Sequence, residues 1–177
     1  MPRVTKLSHA VLFVSDIERS RPFYEKAFGL EFVTGRKGAA FLRAPGSEQP
    51  HDLALMEVGP QAFRPPQGSV GLYHLAWEVE TIDELAESVE ALLEIGALVG
   101  ASDHGATKSL YGKDPDGIEF EILWRLPREA WGEFENSVKT VPLDLAAELA
   151  RWGRNREPKE QGEQKEHFAG RNVAADL

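Results

Sequence analysis

Five histidines and no cysteine set the range of chemistry open to this chain. Without thiols there is no disulfide, no Cys nucleophile and no sulfur ligand, so any metal must sit on imidazole and carboxylate. A single histidine is ordinarily a hydrogen-bonded or surface residue. His9 and His74 differ, because each follows a polar residue at the opening of a similar β-prone run: Ser8-His9-Ala10-Val11-Leu12-Phe13-Val14 and Tyr73-His74-Leu75-Ala76-Trp77-Glu78-Val79. Glu121 lies in the last strand-like run of the second half. Two imidazoles and one carboxylate are the ligand set of non-haem Fe(II) oxygenases, which leaves three positions on one face of an octahedral ion open. His9, His74 and Glu121 therefore predict one metal site. His51 and His104 also stand at positions worth weighing, whereas His167, in a polar tail, reads as solvated.

The elements that must position these residues repeat with a period of about 65 residues. Each histidine-led run is followed by a helix. In the first, Ser15-Asp16-Ile17-Glu18 reads as a capping box and Gly29 as the stop; in the second, Thr81-Ile82-Asp83-Glu84 caps and Gly96 ends. Three strand-like runs follow each helix: 31–35, 39–43 and 52–58, then about 97–101, 108–111 and 118–124. Asp114-Pro115-Asp116-Gly117 is the turn before the last run, since Pro presets φ and Gly accepts positive φ. The expected fold is α+β, two βαβββ modules (5–60 and 71–126) forming a shared open cup with helices outside, joined by a Pro- and Gly-rich linker at 59–71. Strand alternation puts His9 with Val11 and Phe13, and His74 with Ala76 and Glu78, leaving Leu12, Val14, Leu75, Trp77 and Val79 for the helices. Val11, Phe13, Leu53 and Ala76 are the expected dry wall of the cup.

Composition excludes other classes. No apolar run approaches the roughly 18 residues of a membrane span, and the first twenty residues carry charges throughout, so the expectation is a cytoplasmic protein. A formal charge of −9 argues against a nucleic-acid partner. The segment 127–177 is a C-terminal extension: Leu143, Ala146, Ala147 and Ala150 suggest a short amphipathic helix, and the part beyond Arg154 is polar. Trp131, Phe134, Leu143, Leu145, Leu149 and Trp152 give this extension more apolar surface than an idle tail exposes, which predicts docking, on a second subunit in a homo-oligomer or, as the alternative, on its own module.

The paired modules, the Ser-His opening, the histidine opening the second half, and Asp114-Pro115-Asp116-Gly117 shortly before Glu121 resemble the vicinal oxygen chelate superfamily of glyoxalases, bleomycin-binding proteins and extradiol dioxygenases. The resemblance covers roughly residues 5–126 and is nearest to type I extradiol enzymes of the catechol 2,3-dioxygenase kind. His51-Asp52-Leu53-Ala54-Leu55 is similar to their acid/base histidine segment, Asp103-His104-Gly105 to their substrate-contacting histidine, and Tyr111 with Glu121 ten residues later to their tyrosine-to-glutamate spacing. The resemblance implies metal ligands His9, His74 and Glu121, acid/base catalysis by His51, and substrate hydrogen bonds from His104 and Tyr111. It also implies Fe(II), with Mn(II) as a substitute, and a small aromatic diol and O₂ as substrates. Histidine titrates near neutrality, which suits His51 to take a catechol proton and return it.

Rival readings on the same fold are a glyoxalase-type lyase or isomerase, a fosfomycin-type thiol transferase, and a metal-free sequestering protein of the bleomycin-binding kind. The first would need a fourth protein ligand in the first module. The repeat offset from Glu121 lands on Met56, a poor ligand, and Glu57 should face the other way.

Overall fold

The computed structural model describes residues 3–66, 68–137 and 139–154; His167 and the polar segment beyond Arg154 lie outside them. The chain divides into two compact units, Met1–Gly71 with Asp114–Gly117, and Leu72–Lys113 with Ile118–Leu177.

The first unit runs β1 (Ala10–Val14), α1 (Ile17–Phe28), β2 (Glu31–Arg36), β3 (Ala39–Arg43) and β4 (Leu53–Glu57), with sheet order β1-β4-β3-β2. Strands β1 and β4 are parallel and the other pairs antiparallel. Leu12 and Val14 are buried while Val11 and Phe13 are exposed, so one face of β1 is core and the other is not, as the alternation predicts. The expected capping box at Ser15 is not formed. Asp16 is the N-cap, accepting from the Glu18 N–H, and Glu57 accepts from the Ile17 N–H. Ser15 instead gives both its N–H and its hydroxyl to the Asp116 carboxylate, at 2.7 and 2.6 Å. Gly29 ends α1 at φ 64°, a conformation in which Cβ would be strained.

The pairing corrects one expectation about faces. Leu53 pairs with Ala10 and is fully buried, so it lies on the side of Leu12 and Val14 and is not part of a wall with Val11 and Phe13. The residue of that stretch sharing a face with Val11 is Ala54.

The second unit contains β5 (Leu75–Val79), α2 (Ile82–Glu94), β6 (Leu98–Asp103), β7 (Thr107–Lys113), β8 (Glu119–Arg125), β9 (Val141–Pro142) and α3 (Leu145–Trp152), with sheet order β5-β8-β7-β6-β9. The capping box of α2 forms as read: Thr81 accepts from the Glu84 N–H and the Glu84 carboxylate from the Thr81 N–H. Ile82, Leu85, Val89 and Leu92 are the buried stripe of α2. Each such side chain stabilises the fold by roughly 1.5–3 kcal/mol on burial. The extension supplies α3, which contacts α2, and the short strand β9, which the sequence did not announce. Among the described residues no helix is long and apolar enough to cross a membrane.

Candidate functional site

Glu121 organises the second unit's site. It sits in β8 with Ala76 as its parallel partner and Tyr111 as its antiparallel partner, so the ten-residue spacing of Tyr111 and Glu121 is a hairpin placing them directly opposite. His74 stands just before β5 and turns its Nε2 to within 3.1 Å of Glu121 Oε2. Only 8% of Glu121 is exposed, and a buried carboxylate needs cationic or hydrogen-bonding company. The Tyr111 hydroxyl lies 3.3 Å from Oε1 and 2.7 Å from His104 Nε2. Burial first, and the Glu121 charge second, push that hydroxyl well above its ordinary range, so Tyr111 stays protonated at neutral pH. His74, Glu121, Tyr111 and His104 thus form one contact series inside a single unit.

In the first unit the parallel pairing of β1 and β4 brings together the residues that precede each strand. The Ala10 N–H donates to the Asp52 carbonyl at 2.9 Å, and the rings of His9 and His51 lie 4.6 Å apart. His51 also meets Phe41 edge-on at 5.1 Å. Asp52 accepts from the Ala44 N–H and the Ser47 hydroxyl, which fixes the loop carrying His51. The six residues named from sequence therefore fall into two clusters, His9 with His51 and His74 with Glu121, Tyr111 and His104. Among the described residues, no group of three or more His, Cys, Asp or Glu side chains stands close enough to hold a metal.

The pair His74 and Glu121 nevertheless fits a divalent ion. Two cis ligands at about 2.0–2.2 Å from an octahedral centre lie on the order of 3 Å apart, and Nε2 and Oε2 are 3.1 Å apart. His74 Nδ1 is buried without a hydrogen-bond partner, so the imidazole is not consumed by a structural network.

A family model described as the Glyoxalase/Bleomycin resistance protein/Dioxygenase superfamily matches residues 6–122. The chain belongs to this superfamily. Among similar members is the catechol-2,3-dioxygenase of Bacillus subtilis (strain 168), 34% identical over 128 residues, covering 72% of this chain and 44% of that protein. Another is the biphenyl-2,3-diol 1,2-dioxygenase 2 of Rhodococcus globerulus, 32% identical over 126 residues, covering 69% of this chain and 65% of that protein. The chain thus spans less than two thirds of either relative. The crystal structure of a glyoxylase/bleomycin resistance protein/dioxygenase domain from Frankia sp. EAN1pec matches with a TM-score of 0.60 at 23% identity, covering 70% of this chain and 100% of that one, a likeness of fold.

Within the superfamily fold, strand register tests the glyoxalase alternative. Ala76 pairs with Glu121, and its repeat equivalent Val11 pairs with Ala54. The first unit's counterpart of Glu121 is therefore Ala54 and not Met56, which pairs with Phe13. An alanine supplies no fourth ligand, and Glu57 is committed to the N-terminus of α1.

Other residues of consequence escaped the sequence reading. Lys108, 3% exposed, places its ammonium 2.6 Å from Asp103 and 3.4 Å from Glu148, and Lys139 reaches the other oxygen of Asp103 at 2.8 Å. Burial alone would raise the Asp103 carboxyl, but hydrogen bonds from Lys108, Lys139 and the Gly105 N–H hold it below its ordinary range. The Asp-Pro-Asp-Gly turn is also more than a turn: Asp114 accepts from the buried Tyr24 hydroxyl at 3.0 Å, and Asp116 pairs with Arg19 and Arg64. The spacing of Asp103 and Lys108 across a hairpin was the one available signal for the buried pair.

Proposed function

We propose that this chain is a metal-dependent extradiol dioxygenase, opening a catechol-type aromatic beside its paired hydroxyls, with Fe(II) as the metal and Mn(II) as a substitute. The observation that carries this reading is the contact series His74, Glu121, Tyr111, His104, in which a candidate ligand pair adjoins two hydrogen-bonding side chains. His74 and Glu121 would hold the metal, with His9, the repeat equivalent of His74, as the third ligand. When bound, the metal supplies the one-electron chemistry that allows O₂ to react with an aromatic diol.

The protein's own groups bind, orient and move protons. Tyr111 would hydrogen-bond a diol oxygen and orient the ring, while His104 holds the Tyr111 hydroxyl at 2.7 Å. His51 would accept a hydroxyl proton from the diol on one imidazole nitrogen and return it later in the cycle as general acid. Glu121 would offer its carboxylate oxygens to the cation. The reading includes a homo-oligomer. Light scattering checks this, and a full-length monomer refutes it.

The deciding experiment is anaerobic reconstitution with Fe(II) or Mn(II), addition of a panel of monocyclic and bicyclic catechols, then O₂, following gas uptake and yellow ring-fission product. Turnover of at least one catechol is expected. No O₂ uptake with any of them, together with conversion of a glutathione hemithioacetal, would replace this reading with the lyase one.

A further inference from the structure

The described residues after Pro127 fall outside the family match, yet they close around the hairpin that carries His104. That hairpin is tight, with the His104 N–H donating to the Thr107 carbonyl at 2.9 Å. Strand β9 pairs with its incoming arm, Val141 opposite Asp103 and Pro142 opposite Ser102. The Phe134 ring covers Gly105 so closely that a Cβ there would lie 2.4 Å from it. Lys139 pairs with Asp103, and Glu148 of α3 approaches Lys108. At the centre of these contacts, His104 Nδ1 lies 3.0 Å from the Lys139 carbonyl oxygen and 3.2 Å from Thr140 Oγ1.

We propose that the segment Lys139–Pro142 is a positioning element of the site, with Lys139 and Thr140 fixing both the orientation and the tautomer of His104. This rests on the site reading given above. A carbonyl oxygen only accepts, so His104 Nδ1 must carry a proton to meet Lys139. In the neutral ring Nε2 then presents a lone pair to Tyr111, whose hydroxyl lies 2.7 Å away. Tyr111 has one hydroxyl proton, and it goes to His104 at 2.7 Å rather than to Glu121 at 3.3 Å. The carboxylate of Glu121 keeps its lone pairs free of that donor, and the Tyr111 oxygen is held toward the candidate ligands. The side chain of Lys139, anchored on Asp103, keeps its own carbonyl in register with the ring one residue along from that aspartate.

The test reads the ring nitrogens of His104 by ¹⁵N–¹H NMR in the full-length protein, assigned with a His104→Gln sample. The wild type is expected to show a proton on Nδ1 and none on Nε2. Lys139→Met combined with Thr140→Val is expected to give averaged tautomers. With metal-loaded enzyme its KM for catechol should rise by about fivefold, the loss of roughly one hydrogen bond, with kcat little changed. Lys139→Arg, which retains the ion pair, should restore the wild-type spectrum, and Thr140→Val alone gives a partial change should the double variant fail to fold. An Nε2-protonated His104 in the wild type, or identical spectra in all variants, overturns the proposal. A wild type with the expected tautomer but no activity on any catechol refutes the dioxygenase reading and leaves the positioning role of Lys139–Pro142 standing; turnover with an indifferent tautomer does the reverse.

Discussion

Replacing Tyr24 by Phe should weaken the first unit by an amount that the structure sets. The Tyr24 hydroxyl donates to Asp114 Oδ2 at 3.0 Å, and both residues are buried. A hydrogen bond to a charged acceptor contributes about 1.5–3 kcal/mol. Asp114 keeps the Asp116 N–H on its other oxygen at 2.8 Å, so the carboxylate is not stripped of donors and a loss of about 2 kcal/mol is expected. Phe retains the ring contacts with Phe23 at 5.3 Å and Phe28 at 5.4 Å, so no cavity term adds to this. With a urea m-value of about 2–3 kcal/mol/M the midpoint should fall by about 0.7–1 M at unchanged m. Asp114→Asn completes a double-mutant cycle, whose coupling should be about 1–2 kcal/mol. A Tyr24→Phe midpoint shift below about 0.1 M, or additive single and double variants, would refute the claim that α1 is tied to the turn through this pair.

Further outcomes are expected at other positions. His51→Ala should keep metal and catechol binding but lose about 10²- to 10⁴-fold in turnover, measured by stopped flow under O₂; unchanged turnover removes His51 from the mechanism. Glu121→Gln should abolish stoichiometric metal uptake in elemental analysis of dialysed protein, and full occupancy would show that the carboxylate is no ligand. Gly105→Ala combines a backbone at φ +84° with a Cβ 2.4 Å from Phe134. It should cost about 2–4 kcal/mol, read as a lowered thermal midpoint; no shift would mean that Phe134 does not cover the hairpin. Asp103 titrates lower folded than unfolded, so its contribution is complete above its ordinary value near 3.8 and is lost as pH falls further. Acid unfolding of Asp103→Asn should therefore have a flatter limb below about pH 4 than the wild type, and parallel limbs would deny the aspartate that role.

What the sequence disclosed of this molecule divides along physical lines. Local rules read well: the Thr81 capping box, the glycine stops after both helices, β3 to the residue, and the inward face of β1 all follow from neighbours along the chain. The spacing of Tyr111 and Glu121 was legible because a hairpin turns a sequence interval directly into a cross-strand pair. Register between strands that are not hairpin neighbours was not legible. A constant offset put Met56 opposite Glu121, but the connection from β1 to β4 is two residues shorter than that from β5 to β8, which moves the counterpart to Ala54. Leu53 is a separate matter: it stands one residue from Ala54, and strand alternation puts it on the opposite face, with Ala10 and Leu12. Ser15 was misread as a cap because its partner, Asp116, lies far along the chain, beyond the reach of any local pattern. Lys108 looked like an ordinary strand residue: its hairpin spacing from Asp103 was the one local cue, and nothing along the chain shows that Gly105 and Glu148 would also approach its ammonium. As for the candidate ligands, composition and the repeat singled out His9, His74 and Glu121, and the structure joins two of them directly.

Strand β9 also decides what the second sheet can do in a crowded solution. An unpaired edge strand offers a ladder of amides and carbonyls on which any extended chain can settle, and this is how many sheets begin to polymerise. Here the outermost position opposite Ser102 is taken by Pro142, which has no amide hydrogen to give, and the pairing stops after two residues. The sheet ends where its own chain chooses. A shortened relative lacking this segment would leave Ser102 and Asp103 without that edge partner, open to pairing with another extended chain.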